Sequence, residues 1–61
     1  MKLIRLPEVL SMTGRGRSSI YEMIASGNFP RPVNIGRAAV AWVESEVVAW
    51  IEERIAERDA A

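Results

Sequence analysis

The stretch Thr13–Tyr21, TGRGRSSIY, constrains this chain more than any other. It reads as the last turn of one short helix, a tight turn containing two glycines and the first turn of a second helix. Two helices joined this closely suggest a helix-turn-helix, a unit that places its second helix where it can enter a groove of DNA. The segment that follows, NFPRPVNIGRAAVAW from Asn28 to Trp42, has the pattern of a loop and a β-ribbon. The fold class expected is therefore mainly α with a small β-ribbon: a winged helix-turn-helix, with a hairpin wing and a C-terminal helix.

The local signals place the elements. Leu3–Leu6 is a short apolar and basic run compatible with extended chain. Pro7 suits the first turn of a helix, where its missing N–H would have no partner anyway. A first helix is expected over Pro7–Thr13, with Gly14 as its left-handed cap. A second begins at Gly16 or Arg17 and runs to Gly27, the next cap. Its Ile20, Met23 and Ile24 fall on one apolar face, and Ser18, Tyr21, Glu22 and Ala25 project from the other. Phe29 is expected to pack beneath. Pro30 and Pro32 exclude helix and lead into Val33 and Ile35. A hairpin tip near Gly36 and Arg37 and a return over Val40–Val43 complete the wing. A third helix starts at Glu44 or Ser45 with carboxylates in its first turn, and Val47, Trp50, Ile51 and Ile55 form its apolar stripe. Asp59–Ala61 are expected to fray.

At 61 residues the chain is expected to form a single domain, residues 1–61, near the lower size limit for one core. It has no Cys and no His, so disulfides, thiolate metal sites and the commonest general base are missing from the inventory. The start resembles no signal peptide and no window matches a membrane span, so a cytoplasmic location without membrane contact is expected. Ser18 and Ser19 have no His to activate them, and the acidic residues are spread over a helix surface. There is no glycine loop for phosphates and no metal-ligand spacing. No enzymatic activity and no cofactor are expected.

Net charge is zero, but it is segregated. From Met1 to Trp42 six basic residues stand against two acidic, or +4; from Val43 onward two stand against six, or −4. An asymmetry of this kind points to a polyanion as partner of the basic part. Phosphate contacts are therefore assigned to Arg15 in the turn, Arg17 at the entrance to the second helix, and Arg31 and Arg37 along the ribbon. Ser18 and Tyr21 face outward and suit base edges or phosphates. Ser19, at the edge of that face, is divided between a DNA contact and satisfying first-turn N–H groups. Glu22 is expected to pair with a neighbouring Arg, the alternative being a hydrogen bond from cytosine N4. Trp42 and Trp50 are read as core aromatics rather than base-stacking platforms.

Four segments together resemble the AlpA family of small phage and prophage regulators, within the MerR-like and excisionase-like winged helix-turn-helix proteins. They are RLPEVLSMTG from Arg5, RSSIYEMI from Arg17, GNFPRPV from Gly27 and AVAWVESEVVAWI from Ala39. The resemblance covers nearly the whole chain and implies sequence-specific binding of double-stranded DNA. It puts the helix from Arg17 to Ser26 in the major groove and the ribbon around Asn34–Arg37 against backbone or minor groove. It implies a transcriptional regulator with RNA polymerase as a partner or, as an alternative, an excision factor that bends attachment-site DNA for a recombinase, with several copies on one DNA. A third reading keeps the fold but uses the acidic C-terminal helix as a protein-interaction surface. The chain departs from the family at Arg15 and Gly16 in the turn, at Glu22 and Asn34, where basic residues are common, and at Arg37.

Overall fold

A computed structural model describes all of residues 1–61 and gives the order β1 (Leu3–Ile4), α1 (Leu6–Thr13), α2 (Arg17–Ala25), β2 (Val33–Gly36), β3 (Ala39–Val43) and α3 (Glu44–Ala60). This is a winged helix-turn-helix. The turn between α1 and α2 is made by Gly14, at φ 70°, whose N–H donates to Leu10 O. A left-handed residue ends α1 within one peptide, which is what lets α2 start three residues later. The end of α2 uses the same device. Gly27 sits at φ 79°, its N–H donates to Ile24 O, and the Asn28 N–H donates to Met23 O at 2.7 Å.

The wing is part of a three-stranded antiparallel sheet in the order β1-β3-β2. Leu3 faces Val43 and Ile4 faces Trp42, and the Glu44 N–H donates to Lys2 O at 2.8 Å. The start of the chain, expected only to be extended, thus closes the sheet and holds the point where β3 turns into α3. On the other side Val33 pairs with Ala41 and Asn34 with Val40, and an irregularity follows before Gly36 meets Ala39. Ile35 is the extra residue, as in a β-bulge. The turn consequently falls on Arg37 and Ala38, one residue beyond the Gly36–Arg37 tip expected from the sequence. The left-handed position is taken by Ala38 at φ 55°, not by glycine.

The core draws one residue from every element except β2: Ile4 of β1, Val9 of α1, Ile20 of α2, Phe29 of the loop, Trp42 of β3 and Val47 of α3, whereas Val33–Gly36 are all exposed. A fully buried side chain of this kind contributes on the order of 1.5–3 kcal/mol. None of these five elements can therefore leave without removing a share of the same cluster, whereas β2 is held by its pairing with β3. Trp42 is 0% exposed and Phe29 5%, which places both where the sequence put them.

Two expectations about α3 need correction. Ile55 belongs to the apolar stripe expected to face inward, but it is 43% exposed. The core ends near Trp50 and Ile51, and beyond them the end of α1 and Arg15 leave an open groove along Ile55 and Arg58 rather than covering that turn. Residues Asp59 and Ala60 were expected to fray, but the helix continues to Ala60. Arg58 Nε pairs with Asp59 Oδ1 at 2.8 Å, and the Ala61 N–H donates to Arg58 O. The result is an elongated molecule of 43 × 25 × 19 Å.

Candidate nucleic-acid interface

The exposed face of α2 is made by Ser18, Tyr21, Glu22 and Ala25, while Ile20 is completely buried and Met23 and Ile24 are partly so. A helical period of 3.6 with one apolar stripe fixes that orientation. The helix begins at Gly16, which is extended (φ −83°, ψ 166°) and offers no side chain to cap the first turn. The first backbone N–H groups of an α-helix have no partner inside it, so this end keeps unpaired donors beside the positive end of the dipole. Neither Ser18 nor Ser19 caps them.

Ser19 has a different partner. Arg15 Nε donates to Ser19 Oγ at 2.7 Å, and the Arg15 backbone N–H donates to Thr13 Oγ1, which itself donates to Val9 O at 2.9 Å. The guanidinium of Arg15 is thus held across the turn, with its terminal nitrogens left over. The sequence offered no sign of this bond, because Arg15 lies outside the helix and the one-turn spacing rule does not apply to it.

Arg17, the first residue of α2, lies with its guanidinium carbon 6.0 Å from the Tyr21 ring centroid, at the outer range of a cation–π contact. Tyr21 meets Trp42 edge-on, with centroids 6.4 Å apart. The Trp42 indole N–H donates to Pro30 O at 3.0 Å. A chain of contacts therefore runs from Arg17 through Tyr21 and Trp42 to the loop that carries Arg31. Asn34 Oδ1 accepts from the Gly36 N–H at 3.2 Å, so its carbonyl braces the wing turn while its amide N–H₂ stays free. Arg37 occupies the exposed tip.

Glu22 has no basic partner. No Lys or Arg nitrogen lies within 4.0 Å of it, contrary to the pairing expected. The reason lies in the helix itself: the residues three and four away are Ser19, Ala25, Ser18 and Ser26, none of them basic. Arg17, five residues away, is turned towards Tyr21 instead.

The ion pairs divide the cations into two groups. Lys2, Arg54 and Arg58 are each within 4.0 Å of a carboxylate, whereas Arg5, Arg15, Arg17, Arg31 and Arg37 are not. Every unpaired cation lies outside α3, and all five residues are exposed. Self-neutralisation is confined to α3 and the start of the chain, and the turn, the α2 entrance, the loop and the wing tip keep uncompensated positive charge.

Residues 2–55 match the family described as prophage CP4-57 regulatory protein (AlpA). The uncharacterised protein ORF88 of Enterobacteria phage P4 is 49% identical over 57 residues, covering 93% of this chain and 65% of that protein. The DNA-binding transcriptional activator AlpA of Escherichia coli K12 is 30% identical over 60 residues, covering 88% of this chain and 86% of that protein. The chain thus spans just under two thirds of the phage P4 relative and most of the E. coli one.

Proposed function

The chain belongs to the AlpA family of prophage regulatory proteins, and from that premise we propose that residues 1–61 act as one sequence-specific DNA-binding domain of a transcriptional regulator. The observation that carries this reading is the distribution of unpaired arginine. Arg15, Arg17, Arg31 and Arg37 carry guanidinium groups without a carboxylate partner on the turn, the helix entrance, the loop and the wing tip, while the cations of α3 are neutralised locally. Free guanidinium groups and an uncapped helix N-terminus are what a phosphate backbone requires.

In this reading α2 lies in the major groove. Ser18, Tyr21 and Glu22 face the base edges, and the wing, through Asn34 and Arg37, lies against the flanking backbone. Ser19 acts indirectly, by holding Arg15. The mechanism is occupancy of a site, which recruits RNA polymerase or excludes a competitor, in the cytoplasm and without chemistry on the DNA. The decisive experiment is titration with genomic DNA fragments over a range of salt. Four phosphate contacts predict a slope of log K against log salt of roughly −3 to −4. Retention of no fragment at low salt and micromolar protein would refute the proposal.

A further inference from the structure

The wing carries an apolar side chain that the fold does not use. Ile35 is 45% exposed, more than any other large apolar residue apart from Met1 at the chain start. It takes no part in the hydrophobic cluster, and as the extra residue of the bulge it faces no residue of β3. Neither core packing nor a cross-strand pair accounts for it. The backbone around it is nonetheless braced, because Asn34 Oδ1 accepts from the Gly36 N–H at 3.2 Å, a bond that spans Ile35 from one neighbour to the other. A bulge fixed in this way aims a side chain.

The surroundings of Ile35 say what it meets. From Ile35 to Ala39 only Ile35 and Arg37 carry more than a methyl group, so the tip is narrow. No Asp or Glu occurs between Glu22 and Glu44, whereas Arg31 and Arg37 lie in that stretch without a carboxylate partner. The amide N–H₂ of Asn34 remains free to donate. An apolar side chain beside an amide donor and a guanidinium, on a ribbon without carboxylates, is the set with which proteins enter the minor groove and part a base step. That groove is about 6 Å wide and offers only acceptors at A·T pairs, which suits a narrow tip bearing donors.

We infer that Ile35 is a wedge: with α2 in the major groove, the wing tip enters the adjacent minor groove, and Ile35 inserts between two base pairs and kinks the duplex towards the major groove. This rests on the DNA-binding reading above and adds to it a deformation of the target. Asn34 and Arg37 hold the tip in place, and Ile35 separates the bases. Sequence preference at the wing then follows the ease of unstacking, greatest at pyrimidine–purine steps such as TA. No hydrogen-bonding code is needed there.

The test uses short duplexes cut from the genomic fragments that the unmodified chain retains, with a donor dye at one end and an acceptor dye at the other. Energy transfer is measured free, with the unmodified chain and with Ile35→Ala. Because Ile35 lies outside the core cluster, the variant keeps its fold, and its thermal midpoint should fall within a few degrees of the unmodified one. The expected result is a rise in transfer when the unmodified chain binds, the sign of a bend, and loss of most of that rise with Ile35→Ala. Affinity should drop several-fold at an unchanged slope of log K against log salt, since no phosphate contact is removed. An Ile35→Ala chain that binds and bends as the unmodified one does, or an unmodified chain that binds without bending, would overturn the wedge and leave the DNA-binding reading standing. Retention of no fragment by the unmodified chain overturns that reading and the wedge with it.

Discussion

The indole N–H of Trp42 donates to the carbonyl of Pro30 across twelve residues of chain, at 3.0 Å. Trp42 belongs to the core and Pro30 precedes Arg31, so a single bond ties the loop that carries Arg31 to the middle strand of the sheet. Trp42→Phe keeps most of the apolar volume but leaves that carbonyl unpaired and a small void beside it. The expected loss is roughly 2 kcal/mol. Thermal denaturation should show a fall in Tm on the order of 10 °C, with weaker DNA binding at temperatures where the protein remains folded.

Arg17→Ala and Arg37→Ala should each weaken binding to all DNA sequences alike. Each should also flatten the slope of log K against log salt by about 1. Ser18→Ala should instead leave the slope unchanged and alter the order in which related sites are preferred. Fluorescence anisotropy on a panel of sites at three salt concentrations separates the two behaviours.

The Arg15–Ser19 bond makes a sharper prediction. Ser19→Ala removes the hydroxyl that holds Arg15 without touching its charge. Binding should fall by less than in Arg15→Ala, and in the double variant Ser19→Ala should add little to the effect of Arg15→Ala. A double-mutant cycle measured by DNA titration gives the coupling directly.

Glu22 stands alone on the outward face of α2, and an unpaired carboxylate there repels phosphate. Glu22→Gln should tighten binding to unrelated DNA by roughly fivefold, the order of a unit-charge repulsion of about 1 kcal/mol in water. If Glu22 accepts from cytosine N4, the same substitution weakens binding to the specific site. The ratio of the two affinities decides its role.

Ala38 holds a left-handed conformation at the wing tip, which glycine adopts without strain. Ala38→Gly should raise stability by about 0.5–1 kcal/mol, relief of strain exceeding the added entropy of the unfolded chain. Chemical denaturation with unchanged m-value is the measurement. Gly14→Ala is the converse: its Cβ would meet no atom within 4 Å, yet the positive φ alone should cost about 1 kcal/mol.

The sequence carried the helices because their signals are local. Pro7, Gly14 and Gly27 mark ends, and Ile20, Met23 and Ile24 mark the face of α2 that turns inward. The pairing of Leu3 and Ile4 with β3 was not legible, since two residues have no periodicity to read. The wing tip was misplaced because Gly36 drew the turn towards itself; the bulge at Ile35 uses up one residue and moves the left-handed position to Ala38. Ile55 falls in the apolar stripe yet lies exposed, because periodicity identifies a face of a helix but not where its covering stops. At the candidate interface, the sequence named exposed polar residues of α2 and the arginines, but not which groups they hold. The bond from Arg15 to Ser19, the turn of Arg17 towards Tyr21 and the isolation of Glu22 depend on side-chain direction, which spacing alone does not determine.

The separation of free arginine from self-neutralised α3 affects how the protein meets a long polyanion. A chain of zero net charge gains almost no pull from afar, and ions confine any field to about 8 Å at physiological salt. In the proposed role, what the field of DNA exerts at close range is a torque, which favours approach by the surfaces that carry the free arginines over approach by the carboxylates of α3. Electrostatics here selects the orientation of arrival more than its frequency, so encounters are expected to be few but mostly correctly posed.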